Sequence, residues 1–284
     1  MSASDLKVVN LVIIEPSSGW AHLGLREVWA YRELLYFLAW RDIKVRYKQT
    51  ALGVTWIVLQ PLLSTAVFAL LFGRLLQVPS EGAPYALFAL AALVPWLYFS
   101  GSMSRIGTSL VNSANLITKV YFPRLVIPLS GVLSTLVDFA IGFVVLMVLL
   151  AVYRVRLTLN VLWLPVFLLL AIVAALGFGL WLAALNVRYR DVNYLIPFLL
   201  QIWMYVTPVV YGSTLIPDRY RFLLALNPMA GVVDGFRWAL LSGAQPEFMA
   251  PGPRFAVSVV VALIVLVSGV VFFRNTERTF ADVI

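Results

Sequence analysis

The sequence predicts an all-helical integral membrane protein with six transmembrane helices per subunit, an N-terminal interfacial helix and re-entrant helices between the fifth and sixth spans. Of its 284 residues, 62% are hydrophobic and only 12% are charged, whereas a soluble domain of this size needs far more charge on its surface. Several apolar runs exceed the ~18 residues that are typical of a membrane-spanning helix. No run alternates with the two-residue period of a membrane β-barrel strand.

Six apolar spans define the predicted domain organisation. Only helices suit them, because a lipid-exposed backbone must satisfy its own hydrogen bonds. A cytoplasmic N-terminal segment with the interfacial helix is expected at 1–50, a transmembrane domain at 51–273 and a cytoplasmic tail at 274–284. The predicted spans are 51–76, 84–103, 125–152, 161–185, 194–211 and 255–273.

A basic stretch, WRDIKVRYKQT, directly precedes the first span. A cation at the bilayer centre costs about 2.5–3.5 kcal/mol, whereas near anionic headgroups each contributes roughly 1 kcal/mol. We therefore expect a helix lying in the cytoplasmic interface, either as a plain positive-inside anchor or as a functional element. On that helix an aromatic and apolar face, formed by Tyr36, Trp40, Ile43 and Tyr47, adjoins the cations. The four cations of the stretch are Arg41, Lys44, Arg46 and Lys48, and three of them, Arg41, Lys44 and Lys48, form the neighbouring stripe.

The distribution of basic residues predicts the topology. With the N-terminus inside, the cytoplasmic segments hold 14 of the 21 lysines and arginines, as the positive-inside rule requires. Six spans then place both termini in the cytoplasm. The loops at Lys48, Lys119 and Arg190 are expected inside, and those at Glu81, Asn160 and Glu247 outside.

Two connecting segments are too apolar for ordinary loops. Residues 113–124 are predicted to form a short cytoplasmic helix that ends at Pro123, either dipping into the interface or docking a soluble partner. Residues 212–253 contain Asn227 and Pro228, which are typical of a helix N-cap and first turn. That helix should end near Gly243, too short to cross a bilayer, with Asp234 and Arg237 placed to pair on one face.

The composition excludes several kinds of chemistry. The chain has no cysteine and a single histidine, His22, so thiolate metal sites and a Ser-His-Asp triad in the membrane are excluded. No phosphate-binding loop motif is present. The net charge of +8 reflects loop arginines, and no nucleic-acid surface is expected. Asp138, inside the third span, is expected to make a structural hydrogen bond, and a proton relay remains the alternative.

Five segments in chain order resemble the permease subunits of type-2 ABC exporters for polysaccharides, the family of the O-antigen, capsule and teichoic-acid exporters. Together they cover the chain from about Leu34 to its C-terminus. The segments are RDIKVRYKQTALGVTWIVLQPLL (Arg41 to Leu63), NLITKVYFPRLVIPLS (Asn115 to Ser130), LNVRYRDV (Leu185 to Val192), QIWMYVTPVVY (Gln201 to Tyr211) and LNPMAGVVDGFRWALL (Leu226 to Leu241).

The resemblance implies a homodimer in the bacterial cytoplasmic (inner) membrane with two separate ATPase subunits, which bind the ATP and magnesium. This chain would itself be no enzyme and bind no cofactor or metal. Its substrate would be a polysaccharide linked to undecaprenyl diphosphate. By the same resemblance, Asn227, Pro228, Asp234 and Arg237 belong to a re-entrant gate. Residues implied in coupling to the ATPase are Asn115, Lys119, Val120, Tyr121, Phe122 and Arg124.

Aromatic side chains are the expected lining of the substrate channel, because sugar rings present apolar faces that aromatic rings can cover. In the fifth span, Trp203 and Tyr205 point to different faces, and we expect Tyr205 to line the channel and Trp203 to pack against a neighbouring span. A drug or lipid exporter, a membrane-embedded glycan enzyme and an ion-driven transporter are the alternatives. The channel candidates are Trp56, Tyr98, Phe99, Tyr205 and Tyr211.

Overall fold

The computed structural model of the chain describes residues 25–48, 53–243, 248, 250–277 and 280, and within these ranges all regular secondary structure is helical. A π-helical turn, Ala69–Leu75, continues α3, and 3-10 turns at Leu159–Trp163 and Ser213–Leu215 precede α7 and α9. The α-helices are α1 (Leu25–Ala30), α2 (Arg32–Lys48), α3 (Gly53–Phe68), α4 (Tyr85–Asn112), α5 (Ala114–Ile117), α6 (Val126–Val152), α7 (Leu164–Arg188), α8 (Val192–Val206), α9 (Asp218–Ala225), α10 (Pro228–Leu241) and α11 (Pro253–Glu277).

In the described part of the chain, five helical segments are long and apolar enough to cross a membrane. They coincide with five of the six predicted spans, which makes the chain a multi-pass membrane protein. The helix at the remaining predicted span, α8, has 15 residues. The five segments are Thr55–Leu75, Tyr85–Asn112, Val126–Val152, Leu159–Arg188 and Pro253–Glu277.

Helix α4 lies at the centre of the bundle and packs against α6, α7 and α10, while α11 packs on the other side of α7. Glycines bring α7 and α11 close together. A Cβ atom added at Gly177 would lie 2.7 Å from the backbone nitrogen of Leu266, and one added at Gly269 would clash with the Gly177 carbonyl oxygen. This close packing of backbones through small residues is typical of helices in membranes, where association relies on van der Waals contact.

The predicted interfacial helix exists as α2, and it packs against α6. Leu38 and Ala39 form the buried centre of that contact. Tyr36 and Trp40, assigned to the apolar face, are exposed and stack on each other with their ring centroids 6.5 Å apart. The aromatic pair is therefore free to meet lipid, as expected for an interfacial helix, while Leu38 and Ala39 face the bundle.

Helix α8 ends at Val206, five residues before the predicted end of the fifth span. Thr207 has an extended backbone (φ −84°, ψ 137°) because the residue before a proline is disfavoured in the helical region, and Pro208 follows it. The extension of this span to Tyr211 was therefore wrong. The chain instead turns back through the segment 207–211 toward α9 and α10.

Candidate functional site

Arg237 of α10 stabilises the irregular backbone after α8 through hydrogen bonds. The residue is 1% exposed, although it carries a full charge. Its Nη1 donates to the carbonyl oxygens of Pro208 (2.7 Å) and Tyr211 (3.1 Å), and its Nη2 donates to that of Val209 (2.7 Å). Its Nε donates to the carbonyl oxygen of Phe88 on α4 at 3.2 Å. One guanidinium therefore satisfies three carbonyls that lie outside any helix, those of Pro208, Val209 and Tyr211, which matters where water is scarce.

Tyr85 completes this arrangement from the start of α4. Its hydroxyl donates to the Val210 carbonyl oxygen at 2.6 Å. Arg237 and Tyr85 together engage the four successive carbonyls of residues 208–211. The segment 207–211 is thus held by side chains from two other helices.

Asn227 confirms the predicted N-cap of α10 and also links this helix to α8. Its Oδ1 accepts hydrogen bonds from the Met229 backbone N–H at 3.1 Å and from Trp203 Nε1 at 3.0 Å. Its Nδ2 donates to the Thr207 hydroxyl at 2.9 Å. Pro228 occupies the first turn of α10 as predicted, and the helix ends at Leu241, close to the expected stop at Gly243.

The predicted pairing of Asp234 with Arg237 was wrong: the guanidinium is engaged by backbone carbonyls, and no ion pair joins these two side chains. They still interact electrostatically. Burial raises the pKa of Asp234 to about 6, against the opposing effect of Arg237, and burial lowers the pKa of Arg237 to about 10.

Asp234 also lines an open cavity of about 370 Å³, together with Glu81, Arg221 and Ser213.

Asp138 makes the structural hydrogen bond that was predicted, but it is not the isolated acid of the sequence-based picture. Arg46 of α2 forms an ion pair with Asp138 Oδ2, and the Tyr47 hydroxyl donates to Asp138 Oδ1 at 2.9 Å. Arg46 lies in the interfacial helix, as predicted, but its side chain points toward the bundle. A carboxylate inside an apolar helix needs a partner, and α2 supplies it.

The other three cations of the basic stretch remain on the surface of α2, as predicted. Arg41, Lys44 and Lys48 are exposed. Arg41 contacts its neighbour Asp42 at 2.8 Å, a surface pair worth little stability. These cations are free to approach anionic headgroups.

The segment 113–124 contains a shorter helix than predicted. Helix α5 ends at Ile117, six residues before Pro123, and turns follow it. Val120 and Tyr121 project outward, and Tyr121 is 73% exposed. Asn115 and Lys119 are also exposed. The tip of this segment is therefore available to a partner.

Phe122 and Arg124 were also assigned to contact with a partner, but the structure turns both inward. Phe122 is 5% exposed and belongs to the hydrophobic core. The Arg124 guanidinium donates to the Glu277 carbonyl oxygen and lies 5.7 Å from the centre of the Phe280 ring. These two residues anchor the segment to the C-terminal end of the bundle.

The aromatic candidates for a channel lining fall into two groups. Tyr98 and Phe99 are buried in α4, where Phe99 packs edge-on against Trp203 at 5.2 Å. Burial inside one subunit removes Phe99 from any surface that a substrate could contact, whereas Tyr98 borders a cavity between α2, α3, α4 and α6. Trp56 and Tyr205 are each 52% exposed, and Tyr211 is half-buried with its hydroxyl donating to the Tyr205 carbonyl oxygen at 3.1 Å.

Trp203 and Tyr205 take different positions on α8. The Trp203 ring packs edge-on against Phe99 and, at 4.6 Å, against Phe178 of α7, in addition to its hydrogen bond to Asn227. Tyr205 belongs to an uncovered apolar face of α8. The other large exposed residues of that face are Tyr194, Leu195, Phe198, Ile202 and Val206.

Comparison with known proteins assigns the family. The model of the ABC-2 type transporter family matches residues 33–241, which run from the start of α2 to the end of α10. The chain belongs to this family. An ABC-2 type chain is a transport permease, and its partner is an ABC ATPase.

Relatives match this ABC-2 type permease over almost its whole length. It is 31% identical over 260 residues to the O-antigen export system permease protein RfbA of Myxococcus xanthus, covering 91% of this chain and 98% of the relative. It is 27% identical over 254 residues to the protein of the same name from Klebsiella pneumoniae, covering 89% and 95%. It is 22% identical over 239 residues to the polysialic acid transport protein KpsM of Escherichia coli, covering 84% and 91%.

Proposed function

We propose that this chain is the membrane-spanning subunit of an exporter that moves a lipid-linked, O-antigen-like polysaccharide across the cytoplasmic membrane. ATP hydrolysis in a separate subunit drives the transport. The observation that carries this proposal is the similarity to O-antigen export permeases over 91% of this chain and 98% of the relative. The lack of a phosphate-binding loop in the sequence agrees with the division of labour between permease and ATPase.

The proposed assembly is a homodimer with two ATPase subunits. Helix α8 would be the fifth of six spans, although it is short, with α9 and α10 as re-entrant helices at the outer side and both termini in the cytoplasm. Two exposed apolar surfaces support this proposal, because a second copy of the chain could cover them. One is the uncovered face of α8, and the other is formed by residues of α3 such as Leu63 and Val67. The two copies would enclose a channel there, with Tyr205 available to the sugar chain.

The exposed tip of the segment 113–124 is proposed to dock the ATPase through Val120 and Tyr121. Both are large apolar or aromatic residues at the cytoplasmic end of the bundle in the proposed topology, and both are more than half exposed. Exposed apolar side chains do not stabilise a solvated loop, whereas their burial would stabilise an interface with another protein. Undecaprenyl diphosphate is the proposed lipid carrier of the polysaccharide.

Transport in proteoliposomes tests the proposed function. The chain and its ATPase are reconstituted, lipid-linked polysaccharide is supplied on the ATPase side, and polymer appearing on the opposite side is measured. Transport should require ATP and stop with a hydrolysis-deficient ATPase. ATP-driven transport of drugs or lipids without polysaccharide transport would contradict the substrate assignment. Polysaccharide cleavage without ATPase, or transport driven by an ion gradient alone, would contradict the proposed class.

The proposed topology is tested separately with single cysteines, since the native chain has none. A cysteine at Tyr121 should react with an impermeant thiol reagent only from the cytoplasmic side. A cysteine at Glu81 should react only from the outer side. The reverse pattern would invert the topology.

A further inference from the structure

A second cavity, of about 290 Å³, lies between α2, α3, α4 and α6. Its wall is partly apolar and partly charged. Trp56 of α3, which is half exposed, stands at this cavity. The polar side chains that line it include Arg46, Gln60, Arg105 and Asp138.

The charges around this cavity do not balance. Asp138 is engaged by Arg46 and Tyr47. Arg105 of α4 is half-buried, and none of the five ion pairs within the described residues includes it. The cavity therefore holds two guanidinium groups against one carboxylate. An uncompensated cation at such depth is costly unless an anion or water reaches it.

The position of Arg105 along α4 sets its depth. Arg105 lies seven positions before the end of the helix at Asn112, which corresponds to about 10 Å along the axis. In the proposed topology that end of α4 is cytoplasmic. Arg105 then lies near the boundary between the hydrocarbon and the headgroups of the inner leaflet, the level that lipid phosphates occupy.

The packing of α4 on α6 fixes the stem of Arg105. A Cβ atom added at Gly131 of α6 would lie 3.4 Å from the Arg105 Cβ. That distance is an ordinary van der Waals contact. The Arg105 Cβ therefore lies at the seam between α4 and α6.

We propose that this cavity binds the phosphate of a membrane lipid from the inner leaflet, with Arg105 as its principal ligand. A guanidinium suits this role because it forms bidentate, charge-assisted hydrogen bonds with phosphate oxygens. Gln60 adds an amide donor, and Trp56 offers an amphipathic ring at headgroup depth. The inference rests on the topology of the proposed function. The same chemistry is offered by the diphosphate of a lipid-linked substrate and by a bulk anionic phospholipid.

Lipid binding to the purified full-length chain with its ATPase tests this site without requiring transport. Native mass spectrometry counts bound lipid after titration with undecaprenyl diphosphate, phosphatidylglycerol or phosphatidylcholine. Arg105→Gln should weaken binding of phosphate lipids at least tenfold, while Arg105→Lys keeps most of it. The matched control is Arg188→Gln, which removes an exposed arginine at the same end of the bundle and should change binding less than twofold.

The pattern across lipids identifies the source of the phosphate. Weaker binding of undecaprenyl diphosphate alone assigns the site to the substrate carrier, and an equal loss for phosphatidylglycerol assigns it to anionic lipids in general. Equal binding by Arg105→Gln and the unaltered chain would overturn the site. A failure of polysaccharide transport with this lipid pattern intact would count against the proposed function only.

A second measurement keeps Arg105 in place and so avoids any folding defect. Ser100 also lines the cavity, and the chain has no native cysteine. Ser100→Cys should react at least fivefold faster with an anionic methanethiosulfonate than with a cationic one of similar size, and undecaprenyl diphosphate or phosphatidylglycerol should slow the reaction. Equal rates for both reagents, or no protection by either lipid, would overturn the proposal.

Discussion

The guanidinium carbon of Arg237 lies 3.5 Å from the centre of the Phe88 ring, and the same guanidinium donates to the Phe88 carbonyl oxygen. Arg237 thus contacts both the ring and the backbone of one residue in the central helix. Its remaining donors engage the segment 207–211. A flat, delocalised cation can make both contacts at once, which an ammonium group cannot.

Arg237→Lys should destabilise the chain although it keeps the charge. A lysine has three donors in a compact head, so some of the carbonyls would remain buried without a partner, at about 1–3 kcal/mol each. We expect the apparent Tm of the purified protein to fall by roughly 5–10 °C. Thermal unfolding followed by size-exclusion chromatography measures this. Arg254→Lys, at an exposed arginine, is the control, and an equal Tm for both variants would contradict the structural role of Arg237.

Replacing one partner of the Arg46–Asp138 pair should destabilise the protein more than replacing both partners. Asp138→Asn alone leaves a partly buried guanidinium without its carboxylate, so the yield of folded protein should fall severalfold. The double variant Arg46→Gln with Asp138→Asn should recover most of that yield. Fluorescence-detected size-exclusion chromatography compares the three proteins.

The same double variant distinguishes a structural Asp138 from a proton relay. Neither amide titrates, so a transporter driven by protons through Asp138 would stop. We expect polysaccharide transport driven by ATP to persist at more than half of the unaltered rate. Complete loss of transport by a well-folded double variant would instead favour a proton relay through Asp138.

Substitutions at Tyr121 and Phe122 should separate docking from folding. Tyr121→Asp changes an exposed residue, so the protein should fold normally but retain at least fivefold less ATPase during affinity purification. Phe122→Asp places a charge in the core and should reduce the amount of folded protein itself. Unchanged co-purification of ATPase with Tyr121→Asp would remove this residue from the proposed interface.

Substitutions at Trp203 and Tyr205 should likewise have different effects. Trp203→Ala removes a ring that packs against two phenylalanines and leaves Asn227 with one partner fewer, so it should destabilise the protein by about 3 kcal/mol or more. Tyr205→Ala should leave stability within about 1 kcal/mol and slow polysaccharide transport severalfold. Thermal unfolding and transport are measured on both variants. Normal transport by Tyr205→Ala would exclude this residue from the channel.

The sequence was sufficient for the long spans and the cap of α10. Their signals are local: long, predominantly apolar runs for α4, α6, α7 and α11, and an Asn-Pro pair at 227 and 228. The end of α8 also has a local cause, since Pro208 restrains Thr207, but the apolar residues beyond it, Val209 and Val210, concealed the stop.

Contacts between residues far apart in the chain were beyond sequence reasoning. Arg46 and Asp138 are separated by 92 positions, and Arg237 and Phe88 by 149. A charge in an apolar helix indicates that a partner exists but does not say which one. Phe122 misled for a related reason, because hydrophobicity in a short segment predicts burial equally against a partner or against the chain's own core.

The clamp on residues 207–211 also has a mechanical consequence. Trp203 and Thr207 are bound to Asn227 at one end of α10, and the carbonyls beyond them are bound to Arg237 three turns later. Helix α8 cannot tilt at its C-terminal end without carrying α10 along, so the two helices move as one body. At its N-terminal end α8 follows α7 after the short turn at 189–191, and Ile196 is fully buried next to Gly107 of α4. Both ends of α8 are therefore fixed to the bundle, so a displacement of α10 would be passed on through α8 to α4.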